Sequence, residues 1–187
     1  MQHASELEIP DGPLLEVDLG CGDGRFLLER AQEEPDRLFI GLDRDQEALE
    51  HAAAEAAVLG LENLWLADAD LATALDGLFF TGRVHRFYLH FPDGWLAPTS
   101  TTTLEHLLDA LEPRGEIFLQ TEARSLAEAI RAALDRDPRV DMVEALEASP
   151  FDARSSRELS CEATGLVVHR VLGSRKDEGE PYDEGWD

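Results

Sequence analysis

Lysine is almost absent from this 187-residue chain: Lys176 is the only one, and 16 basic residues face 40 acidic ones, for a formal net charge of −24. A field of that sign repels nucleic acid at ordinary salt. Acid-rich, lysine-poor surfaces also suit proteins that live in molar salt, where self-repulsion is screened over roughly 3 Å rather than about 8 Å. The plain alternative is an acidic protein whose GC-rich coding turns lysine into arginine. Cysteine is scarce as well. Cys21 and Cys161 stand far apart with no CxxC pattern, so neither a zinc cluster nor a disulfide framework is expected, and no metal is assigned. Long hydrophobic runs are missing too. The apolar stretches are strand-sized, too short to span a bilayer, and the first residues lack a basic and apolar leader, so a cytoplasmic location is expected. Internal repeats are absent, and nothing in the sequence sets the oligomeric state.

What the chain does have is alternation. Strand-type apolar runs fall near 14–19, 37–42, 62–67, 84–90, 115–121, 139–147 and 165–172. Amphipathic helical spacing falls between them near 24–33, 45–59, 101–111 and 124–135, with a weaker helix near 70–76. This is the pattern of an open, mainly parallel sheet with helices on both faces, that is, a Rossmann-like α/β fold. The last two strands follow one another with no helix predicted between them. Their connection holds Pro150 and Arg154-Ser155-Ser156-Arg157 and reads as an antiparallel excursion at the sheet edge. One domain over 1–173 is expected, followed by an acidic, flexible tail over 174–187.

The run Asp18-Leu19-Gly20-Cys21-Gly22-Asp23-Gly24 joins the first strand to the first helix, and Gly20, Gly22 and Gly24 would let the backbone pass close under a ligand. Taken alone it also fits an ordinary strand-to-helix turn. A second acid, Asp43, ends the second strand, where nucleotide-binding folds place a carboxylate on the ribose hydroxyls. The glycines alternate without the G-x-G-x-x-G spacing, and Asp23 would oppose a phosphate, so the pocket suits cationic S-adenosylmethionine (SAM) better than NAD, the second choice. Asp18 is assigned to the methionine end and Asp43 to the ribose. Asp68 with Ala69 is assigned to the adenine, with Asp70 competing for that place. Asp68 is favoured because the apolar strand ends immediately before it. Asp93 falls just past the fourth strand, on the same edge.

The fourth-strand segment Arg86-Phe87-Tyr88-Leu89-His90-Phe91-Pro92-Asp93-Gly94-Trp95 resembles the tRNA (guanine-N7) methyltransferase family, whose strand ends in asparagine followed by Phe-Pro-Asp-Pro-Trp. Asp18 to Leu27, Phe39 to Asp43, and Asn63-Leu64 with Asp68-Ala69 are similar to the family's first three strand motifs, so the resemblance runs from about residue 14 to about 122. It implies a class I methyltransferase fold with seven strands, SAM as methyl donor, and guanine in tRNA as acceptor. It further implies that Asp93 is catalytic and touches the cofactor, and that Glu122 of Thr121-Glu122 and Glu162 of Leu159-Ser160-Cys161-Glu162 hold the purine. Trp95 either stacks on a base or caps the core. His90 reads as a strand-end histidine bonded to backbone rather than as a base, because guanine N7 has no proton to lose.

This chain departs from the family in its acceptor-side charge. Leu96-Ala97-Pro98-Thr99-Ser100-Thr101-Thr102-Thr103 stands where the family carries a basic loop. Arg25, Arg44, Arg124, Arg154 and Arg157 fall in loops near the pocket, either to meet phosphate or to pair with neighbouring acids. The alternative functions are therefore methyl transfer to a small molecule or protein, and a SAM-binding module without turnover.

Overall fold

Leu15, Glu16, Val17, Asp18 and Leu19 are all buried, which is possible only for a central strand covered on both faces. The computed structural model describes residues 2–3, 9–71, 82–92, 96 and 101–177. A two-residue strand β1 (Gln2–His3) precedes that central strand, β2 (Leu15–Leu19). There follow β3 (Leu38–Asp43), β4 (Leu64–Asp68), β5 (Val84–His90), β6 (Leu111–Thr121), β7 (Val140–Leu146) and β8 (His169–Arg175). The helices are α1 (Arg25–Glu33), α2 (Gln46–Leu59), α3 (Thr101–Ala110), α4 (Arg124–Arg136) and α5 (Ser156–Thr164). The seven strands expected from the sequence form one mixed sheet, extended at one edge by β1, in the order β1-β4-β3-β2-β5-β6-β8-β7. β8 runs antiparallel to both β6 and β7, and the other pairings are parallel.

Parallel strands end on the same side, so the loops after β2, β3, β4, β5 and β6 gather along one edge of the sheet. The two faces differ in chemistry. Val17, Ile40, Phe87, Leu89, Ile117 and Leu119 pack with Leu104 and Leu107 of α3 and Leu126, Ile130 and Leu134 of α4 in an apolar layer. On the opposite face Phe26 and Leu27 of α1 and Leu49 and Ala52 of α2 cover Phe39, Tyr88 and Phe118. That face also buries charge, because the alternate residues Glu16 and Asp18 of β2 and Tyr88 and His90 of β5 all point into it.

Two expectations change. Helix α5 occupies the connection in which no helix was expected. Ser155 caps it by accepting the Glu158 N–H at 3.2 Å, and Gly165 closes it at φ 71°. Its buried residues are Glu158 and Cys161, so it has no apolar stripe to announce it. In consequence the last strand begins at His169 rather than near 165. The weaker helix expected near 70–76 lies outside the described residues from 72 onward. Among the described residues no helix is long and apolar enough to cross a membrane.

Candidate active site

The glycine turn after β2 is built by positive φ at Gly20, Gly22 and Gly24, of 87°, 56° and 68°. A side chain at Gly24 would also strike Ala52 of α2 at 2.9 Å. The turn is pinned to the next strand: the N–H groups of Gly20 and Cys21 donate to the Leu42 carbonyl at 2.8 and 3.1 Å, and that of Gly22 donates to Asp43 Oδ2 at 2.8 Å. Asp43 Oδ1 accepts from Asp45 N–H at 3.0 Å. Asp68 stands directly across from Asp43 in the β3–β4 register and accepts from Gln46 at the start of α2, at 3.0 Å. Ala69 is buried and donates its N–H to the Asp43 carbonyl, whereas Asp70 is exposed.

Asp18 is 1% exposed; its Oδ2 meets His90 Nδ1 at 3.2 Å, and its Oδ1 has no hydrogen-bond partner among the described residues. His90 therefore holds a carboxylate rather than backbone. Its ring lies edge-on to Phe26, 4.3 Å between centroids, and its Nε2 is also buried with no partner among the described residues. Cys21 reports the local field. Burial first, and then the charges of Asp18, Asp43 and Asp23, push its thiol well above the ordinary range, so it is no nucleophile here. A rim of carboxylates around a buried acceptor suits a ligand that brings positive charge and hydroxyl donors.

After β5 the chain turns at Phe91, whose φ of 48° is strained for an aromatic residue. The Phe91 N–H donates to the Gln120 carbonyl at 2.7 Å, and that of Leu96 donates to the Pro92 carbonyl at 3.2 Å. Asp93 and Trp95, between these anchored points, lie outside the described residues.

The acceptor side is closed by α5, which sequence reasoning missed. Ser156 donates to Asp23 of the glycine turn at 2.5 Å, and Arg157 hydrogen-bonds Glu122 at the end of β6. Burial favours protonation of the Glu122 carboxyl, but the hydrogen bond from Arg157, a backbone hydrogen bond and the Arg157 charge together hold the group below its usual range. Glu122 Oε2 is buried with no partner among the described residues. Glu162 is half-exposed and lies 3.7 Å from Arg154. The carboxylate that α5 turns inward is Glu158, 1% exposed, bound by Arg170 at 2.7 Å and by Gln120 at 3.3 Å. The Ser155-x-x-Glu158 spacing was the available signal. Of the five loop arginines, Arg25, Arg124, Arg154 and Arg157 pair with acids, while Arg44 makes no ion pair among the described residues.

Asp43→Ala is expected to weaken binding of a hydroxyl-bearing donor by about 1–3 kcal/mol, measured by titration calorimetry. An unchanged dissociation constant would refute the ribose assignment.

A family model described as "Putative methyltransferase" matches residues 13–163. The tRNA (guanine-N(7)-)-methyltransferase of Synechococcus sp. (strain JA-3-3Ab) is 32% identical over 174 residues, covering 88% of this chain and 74% of that protein. That of Anaeromyxobacter dehalogenans (strain 2CP-C) is 30% identical over 175 residues, covering 86% of this chain and 85% of its own. Among solved structures, the 16S rRNA methyltransferase KamB superposes with a TM-score of 0.71 at 17% identity, over 94% of this chain and 99% of its own, a likeness of fold.

Proposed function

The chain belongs to the methyltransferase family that contains the tRNA (guanine-N(7)-)-methyltransferases, and from that premise we propose that it transfers a methyl group from SAM to N7 of a guanine in tRNA. The observation that carries the donor half is the buried Asp18 oxygen left without a partner beside the glycine turn, within a field of three carboxylates. The residues present fit SAM. Asp18 takes the methionine amine, Gly20, Gly22 and Gly24 leave room for the backbone to approach, Asp43 takes the ribose, and Asp68 with Ala69 takes the adenine. SAM supplies an electrophilic methyl on a sulfonium.

What remains for the protein is alignment. Guanine N7 carries its own lone pair, so positioning rather than proton removal lowers the barrier. Asp93, following the strained Phe91, orients the reacting groups and offsets the positive charge that the purine acquires. Glu122, once released by Arg157, accepts from the guanine N1 and N2 donors. Trp95 offers a surface on which a base can stack. Glu162, half-exposed beside Arg154, is assigned with Glu122 to hold the purine. The acidic surface fits a protein adapted to high salt, in which lost phosphate contacts matter less.

The test is methyl transfer to tRNA lacking the modification, in low and in molar KCl, with nucleoside analysis of the product. Wild type is expected to form 7-methylguanosine, and Asp93→Ala to lower kcat by about tenfold or more with SAM binding kept. No transfer in either salt, together with SAM binding by calorimetry, would leave a small-molecule or protein acceptor, or a binding module without turnover.

A further inference from the structure

An RNA approaching a chain with 24 excess negative charges must come in over its least acidic face. The α2 side offers Glu47, Glu50 and Glu55, with no lysine or arginine in the helix. At the other end of the sheet a groove of about 450 Å³ runs between α4 and the β7–β8 pair. There Arg124 and Arg131 match the two acids, Glu128 and Glu147, with His169 and the Glu158-bound Arg170 beside them.

Four features single out this groove. It opens at the reactive edge, for His169 pairs with Thr121, the residue before Glu122, and Arg124 is the first residue of α4. Arg170 is committed to Glu158, but two of the cations stay available. Exposed Arg131 forms no ion pair among the described residues, and Arg124 shares only a solvent-exposed contact with Glu128 one turn away. Arg124 and Arg131 line the same groove two helical turns apart, about 10 Å, a length over which a nucleic-acid strand presents more than one phosphate. Val167 at its wall is 68% exposed, an apolar surface for a sugar or base.

We propose that the α4–β8 groove is the docking surface for the tRNA backbone next to the target guanine, with Arg124 and Arg131 as its phosphate contacts. This rests on the tRNA reading and supplies the cations missing from residues 96–103. It is tested on the full chain with a labelled single-stranded RNA oligonucleotide and with tRNA, using the Arg124→Glu/Arg131→Glu double variant. Arg136→Glu, on the same helix but outside the groove, is the charge control.

The double variant is expected to weaken oligonucleotide binding and raise KM for tRNA by about tenfold or more. Its salt slope should be shallower by about 1.4, the value for two lost single-strand contacts. SAM affinity and Tm are expected to hold, and Arg136→Glu to change RNA binding far less. Unchanged RNA binding in the double variant overturns the proposal, as do an equal loss in Arg136→Glu, no oligonucleotide binding by wild type, and preference for an acidic peptide over RNA. Wild type that binds the oligonucleotide at the groove yet never methylates tRNA instead refutes the acceptor reading and leaves the groove standing.

Discussion

Asp18→Ala is expected to weaken SAM binding by about 2–5 kcal/mol, roughly 30- to 5,000-fold in dissociation constant, the cost of leaving a buried charge without its partner. The carboxylate is 1% exposed and fixed on one side by His90 at 3.2 Å, so its second oxygen is preorganised and already desolvated. A cationic amine meeting that oxygen gains a charge-assisted bond with little further ordering. Asp18→Asn separates shape from charge. It still offers an oxygen to His90 but removes the anion, and it should fall between wild type and alanine. Calorimetry with SAM measures the effect, and thermal unfolding of each variant corrects for the histidine nitrogen that alanine strands. Wild-type affinity in the asparagine variant would show that charge is not what the site recognises.

Glu16→Gln is expected to cost about 3–5 kcal/mol of stability, a large share of the roughly 5–15 kcal/mol typical of a domain. Glu16 is fully buried and serves a whole cluster. It accepts from Tyr88 at 2.5 Å and Arg37 at 2.5 Å, with Arg86 at 3.4 Å and Arg30 at 3.7 Å. Burial, and then the Glu16 charge, push the Tyr88 phenol upward, so it remains a donor throughout the useful pH range. Arg30 and Arg86 each stand 5.2 Å over the Phe151 ring, so the cluster also seats the segment leading into α5. Neutral glutamine leaves Arg30, Arg37 and Arg86 only their outer partners Glu33, Glu34 and Glu116 and removes the buried charge that joins them, whereas Tyr88→Phe removes one hydrogen bond and should cost only about 1–2 kcal/mol. Urea titration distinguishes them. Equal losses would mean that the charge cluster does not act as a unit.

The parts of this molecule legible in the sequence are those where hydropathy and secondary structure agree. Leu15, Val17 and Leu19 leading to spaced glycines, and Phe39 to Leu42 ending on Asp43, announced two strands and a turn. Asp68 was favoured over Asp70 because the apolar run stops at the strand's end; the β3–β4 register sets Asp68 opposite Asp43. What escaped notice is polar and buried. Glu16, Arg86 and Tyr88 satisfy one another across strands that are neighbours in space but distant in sequence, a pairing that periodicity does not encode. The α5 helix escaped for the same reason, since it packs Glu158 against Arg170 and Gln120 where an apolar stripe would be looked for. Its signals were chemical: a serine cap, a glutamate three residues later and a closing glycine.

The hydrogen bond from Ser156 to Asp23 joins residues 133 positions apart. A nascent chain can form the early strands and the glycine turn long before α5 emerges from the ribosome, but it cannot make this contact. Closing so long a loop costs entropy that only the docked later segment repays. Ligand affinity should therefore arise only once α5 has been made and docked, rather than with the strands that carry the glycine turn.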